Sequence, residues 1–185
     1  MPKVAGLLEN ANDFFEAAKR CGWERFEKKG VATTENVPLL IPEKVNMAFA
    51  CELYLKAIAE NKKISVKKVH DLDKIFLKLP KTVQKEIYYI WKSDCCEGTA
   101  DCDYLIKMFF DNLEATAKVF IRFRYANEWA GSMVSLQHSF TLPQFEKFSP
   151  FSLKRPFGSP PIHDGFLEQF ALSLKTYAEK LIGEK

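Results

Sequence analysis

Apolar side chains recur along this chain at intervals of three and four residues, the period that stacks them on one face of a helix. Leu7, Ala11, Phe14, Phe15 and Ala18 trace one such stripe and predict a first helix over 4–20. Gly22, Gly30, Pro38 and Pro42 punctuate the next stretch. A second helix is expected over 43–61, with Pro42 at or just before its start, where a missing N–H costs little. Leu72, Ile75, Phe76 and Leu79 open a third helix. Pro80 interrupts it, and Val83, Ile87, Ile90 and Trp91 resume the stripe. Residues 93–100 read as a loop, and a long helix over 101–127 follows, marked by Leu105, Phe109, Leu113, Ala117, Phe120 and Ile121. Phe166, Phe170, Leu174, Tyr177 and Leu181 mark a last helix over 164–182.

Before that last helix, Pro143, Pro150, Pro156, Pro160 and Pro161 crowd a stretch too proline-rich to be helical and too aromatic for a free linker. It reads as an irregular arm over 139–162. No alternating pattern competes with the helical one; "GVATTENVPLLI" holds a short extended piece at most. The expected fold class is all-α: an up-and-down bundle of four to five helices in a single domain over 1–185. Its parts would be a core bundle over 1–138, the arm, and a C-terminal helix over 163–185.

The second helix breaks the simple pattern. In "NMAFACELYLKAIAE" apolar residues occupy nearly every side, yet Glu52 and Lys56 stand in the middle, four residues apart. A charge on a helix surrounded by helices needs a partner, because desolvation costs several kcal/mol. The pair therefore either lies along an exposed seam or joins a wider polar network. Arg124 extends the core stripe of the long helix beyond Phe120 and Ile121, so it falls on the buried phase, and Glu128 lies one turn further on the same side. Tyr125 is its immediate neighbour. His70 stands two residues before Leu72, in the first turn of the third helix or at its cap. The plain reading is structural: Arg124 neutralises Glu52 or Glu128, and His70 caps a helix. The sharper reading is a polar cationic site for an anionic ligand, RNA or nucleotide phosphate, since Arg suits bidentate phosphate contacts.

Composition narrows the setting. The 185 residues are 47% hydrophobic and 28% charged, with a net charge of +3, which permits an anionic partner without requiring one. No block of like charge reads as a basic tail. No export signal or apolar stretch of membrane-spanning length is present, so a cytoplasmic protein away from membranes, with reduced thiols, is expected. Cys95, Cys96 and Cys102 lack the spacing of a zinc site, and Cys51 reads as a small core residue. No phosphate-cradling glycine loop, zinc-protease motif or nucleophile elbow appears, and no cofactor is implied.

Three stretches in order, "NMAFACELYLKAIAE", "HDLDKIFLKLP" and "FIRFRYANEW", resemble the bacterial branch of the HEPN superfamily of helical nucleotide-binding domains. The resemblance spans roughly residues 4–128 and leaves out the arm. It implies a four- or five-helix bundle, often a homodimer, acting in prokaryotic defence or toxin–antitoxin systems. Some members are metal-independent ribonucleases; others are non-catalytic partners of nucleotidyltransferases or binding modules, so a nucleotidyltransferase or an antitoxin is the partner the resemblance implies for this chain. Catalytic members carry Arg, four to six residues, then His. Here neither Arg122 nor Arg124 is followed by His at that spacing, and His138 lies well past Gly131. Metal-free RNA cleavage needs a group that exchanges protons near neutral pH, which Arg is not. The expectation is therefore a non-catalytic module for RNA, nucleotide or a protein partner. A divergent ribonuclease using His70 and a structural homo-oligomer are the alternatives.

Overall fold

Among the residues described by the computed structural model, 2–22, 40–95, 102–117 and 164–183, every regular element is a helix. They are α1 (Pro2–Cys21), α2 (Leu40–Asn61), α3 (Leu72–Lys78), α4 (Lys81–Cys95), α5 (Cys102–Thr116) and α6 (Asp164–Gly183). The chain is an all-α helical bundle. None of these helices is long and apolar enough to cross a membrane.

The all-round apolar character of α2 follows from its place. It packs against α1, α3 and α6, so most of its circumference is interior. Met47, Ala48, Ala50, Cys51, Tyr54, Leu55, Ala57, Ile58 and Ala59 are all buried. The small residues in that run let neighbouring helices approach closely. Ala11 and Ala18 of α1, and Ala171 and Ala178 of α6, are buried in the same core. Tyr54 carries its hydroxyl to the edge of this packing, where it donates to Asn12 Oδ1 at 2.6 Å. Ion pairs brace the outer edges: Lys3 reaches Glu60 at 2.6 Å, and Lys180 reaches Glu86 at 3.3 Å.

A second part of the core is aromatic. The Phe109 ring lies 5.1 Å from Trp91, 5.4 Å from Tyr88, 5.5 Å from Phe76, 5.6 Å from Phe166 and 5.8 Å from Phe170, centroid to centroid. Most of these contacts are edge-to-face or tilted, the arrangements that ring quadrupoles favour. Four helices, α3 to α6, thus meet on one side chain of α5. Burying a ring of this size contributes about 1.5–3 kcal/mol before any ring–ring term.

The joint between α3 and α4 follows from Pro80. Leu79 adopts ψ 152°, the extended conformation that a following proline imposes. The exposed carbonyls at this break are taken up by Gln84, whose amide donates to the Leu79 oxygen at 2.7 Å and the Leu77 oxygen at 3.1 Å. A buried glutamine is thereby satisfied, and the chain turns without an orphaned carboxamide.

The predicted stripes are interior where the structure describes them, with Leu7, Phe14, Ile90 and Leu181 half-buried at the margins. Two boundaries differ. Helix α2 begins at Leu40, so Pro42 lies inside its first turn, where no intrahelical N–H donor is needed. Helix α4 continues through Ser93 and Asp94, which composition assigned to a loop. Ser93 Oγ donates back to the Ile90 carbonyl at 2.7 Å, so its hydroxyl is satisfied within the helix. Residues 118–127 of the predicted 101–127 helix, and the arm over 139–162, lie outside the described residues.

Candidate functional site

Glu52 is on the central helix and is 2% exposed. One carboxylate oxygen, Oε1, accepts from Lys56 Nζ at 2.5 Å and stands 2.9 Å from His70 Nδ1. The first contact is the i, i+4 pair that helical geometry supplies. The second crosses from α2 to the residues just before α3. Lys56 is largely covered, its side chain 17% exposed, whereas the His70 imidazole is 56% exposed. The carboxylate is therefore interior and its partners form a lid toward solvent. The charge of Lys56 repays the desolvation of Glu52, and the imidazole adds a second donor when Nδ1 is protonated.

His70 does not cap α3, contrary to the plain reading of the sequence. The cap position is Asp71, one residue later, and the Asp71 side chain makes no capping hydrogen bond. It forms an ion pair with Lys74 instead. His70 sits outside the helix, where the extended backbone at Asp71 leaves its ring free to lie back over α2. Of the two placements the sequence left open for the Glu52–Lys56 pair, an exposed seam or a wider polar network, the described residues show one further polar contact, from His70. Arg124, Tyr125 and Glu128, the other members expected there, lie outside the described residues.

Between Asn61 and His70 the chain carries four lysines and no acidic residue. Its backbone is organised at both ends. At the C-terminus of α2, the Ile64 amide donates to the Ala59 carbonyl at 2.8 Å and the Lys63 amide to the Glu60 carbonyl at 3.0 Å, the paired bonds of a Schellman cap. The left-handed residue of that cap is Lys63, at φ 59°. Glycine normally takes this position, because a Cβ makes the conformation costly. Three residues on, the Val69 amide donates to the Val66 carbonyl at 3.1 Å, closing a turn with Lys67 and Lys68 at its centre.

Apolar feet fix the loop to the bundle. Val66 is buried, and Ile64 and Val69 pack partly buried against the core. The intervening Lys62, Lys63, Lys67 and Lys68 are all exposed. None of the four forms an ion pair among the described residues. The nearest carboxylates in sequence, Glu60 and Asp71, are engaged by Lys3 and Lys74. Two dilysine tips thus project from one connection, and its far end is tied to α2 by the contact between His70 and Glu52.

Sequence reasoning singled out Glu52, Lys56 and His70, and the structure brings these three together. It passed over the lysines, since Ile64, Ser65 and Val66 break the run and no uninterrupted charge block forms. The legible signal was the repeated pair in "KKISVKK", with apolar residues between. Cys51, beside the cluster in sequence, is fully buried with Sγ 3.8 Å from the Leu167 carbonyl, and burial pushes its thiol up from 9.0. It is a core residue that stays protonated, not a nucleophile. Compared with protein-family models, curated proteins and solved structures, the chain matches none of them.

Proposed function

We propose that this protein is a non-catalytic helical module that binds RNA or nucleotide phosphate. One observation carries the reading: a buried carboxylate, Glu52, gathers Lys56 and His70 at the foot of a connection bearing four exposed lysines. The cluster's own charges are largely spent on one another. What remains for a ligand is the uncompensated cationic surface beside them, which favours an anion. The resemblance of three ordered stretches to bacterial HEPN-superfamily domains supports the same reading. In that setting the module would act as a homodimer beside a nucleotidyltransferase or antitoxin partner in prokaryotic defence. Incubating the full chain with end-labelled single-stranded RNA in chelator tests it. Retention of intact RNA by the protein is the expected result; absence of binding refutes the reading.

A second reading, a metal-independent ribonuclease, has one observation in its favour. A carboxylate on Nδ1 fixes a histidine's tautomer and leaves the Nε2 lone pair outward, the state a general base requires. His70 has that carboxylate in Glu52, and its ring is exposed. Cleavage that persists in chelator and disappears in His70→Ala supports the ribonuclease. Intact RNA with wild-type protein excludes it.

A further inference from the structure

We propose that the connection between α2 and α3 docks the phosphodiester backbone of RNA, responding to its charge and not to its bases. This inference rests on the RNA-binding reading above and names the surface that would make the contact. Lys62 and Lys63 occupy the tip of the cap that ends α2, and Lys67 and Lys68 the tip of the following turn. Two cationic pairs on a backbone held by four hydrogen bonds present repeated positive charge to a ligand whose negative charge also repeats. Each phosphate neutralised by a lysine releases counterions, the main source of sequence-independent affinity for nucleic acid.

The residue types decide among polyanions. Residues 61–69 contain no aromatic side chain on which a base could stack and no arginine to grip a base edge or a carboxylate in two-pronged fashion. Lysine is depleted at protein–protein interfaces, where arginine and aromatics are enriched, so four lysines fit an acidic protein partner poorly. Stable membrane attachment takes a second signal besides basic charge. The connection has none, since Ile64, Val66 and Val69 face the core and leave no apolar group to insert. Lys63 adds a separate indication. A left-handed backbone held by lysine, where glycine would be easier, marks a position at which the side chain matters more than local comfort.

The test is fluorescence anisotropy of a labelled mixed-sequence RNA strand with the full chain across a salt series. Its comparison variants replace Lys62, Lys63, Lys67 and Lys68 all by Gln or all by Arg. All four positions are exposed, and circular dichroism verifies that each variant keeps its helices. For the wild type, the slope of log affinity on log salt should be about −3, from roughly 0.7 per lysine contact to single strands. The Gln variant should bind at least about tenfold more weakly with a nearly flat slope, and the Arg variant should retain both affinity and slope. Wild-type protein that binds no RNA overturns this inference and the reading beneath it. Undiminished binding by the Gln variant overturns the docking surface alone. Equal or tighter lysine-dependent binding of poly-glutamate, or of phosphatidylserine vesicles, overturns the choice of RNA backbone as the partner.

Discussion

Glu52 Oε1 and His70 Nδ1 lie 2.9 Å apart across an 18-residue separation, joining the interior of one helix to the entrance of another. Glu52 would be an awkward residue on an all-round buried helix without that contact and the bond from Lys56. Replacing Glu52 by Ala removes the acceptor and leaves Lys56 largely covered with no counter-charge. Stability should fall by about 1–3 kcal/mol, less than for a fully enclosed pair because His70 is open to solvent. Urea midpoints measure this, and a change below about 0.5 kcal/mol would mean that the cluster contributes little to the fold.

Lys63 offers an opposite effect. Lys63→Gly relieves the left-handed backbone at φ 59°. The folded state should gain about 0.5–1 kcal/mol while RNA binding weakens through the lost charge. A stability that rises as affinity falls would separate the two roles of this residue. A variant no more stable than wild type would show that the cap already accommodates lysine without strain.

Phe109 and Tyr104 share α5 but not its surroundings. Phe109 is fully buried among the rings of Phe76, Tyr88, Trp91, Phe110, Phe166 and Phe170, whereas Tyr104 is 63% exposed. Phe109→Ala should cost about 3–5 kcal/mol, and Tyr104→Ala should stay within about 0.5 kcal/mol. Thermal melts of the two variants give the comparison. Equal losses would place Phe109 outside the main core.

Alkaline pH should weaken the fold. Burial holds the Cys51 thiol above its ordinary 9.0. Burial, then the nearby Cys51, Glu179 and Glu16, hold the Tyr54 phenol above 10.0. The native state therefore keeps protons that the unfolded chain releases. Stability is complete below about pH 9 and declines above it, by up to about 1.4 kcal/mol per pH unit for Cys51 alone. Urea midpoints at pH 7.5 and pH 10 should fall less in Cys51→Ala than in wild type. The same burial should block alkylation of Cys51 until denaturant is added, and reaction in the folded protein would contradict its place in the core.

The helices were legible because a three-to-four spacing of apolar residues has one economical solution, and Phe109, Phe170 and Ala11 occupy the interior that it assigns. Lys56 was legible as the partner of Glu52, because i, i+4 geometry lies within one helix. His70 was visible as an anomaly, but its partner was not. The direction of an imidazole outside a helix depends on the backbone at Asp71 and on the placement of α2, neither of which a local pattern contains. The lysine tips depend in the same way on long-range anchoring. Only the burial of Val66 and the packing of Ile64 and Val69 turn a polar-looking connector into a fixed surface.

The ring cluster around Phe109 bears on how the chain matures on a ribosome. Trp91 and Phe76 emerge before Phe109, but Phe166 and Phe170 are made roughly sixty residues later, on α6. Until that segment leaves the exit tunnel, a nascent chain carries an open aromatic socket. Completion of this aromatic core is therefore tied to the synthesis of α6, and the partly made protein is a natural client for chaperones that hold exposed aromatic surface.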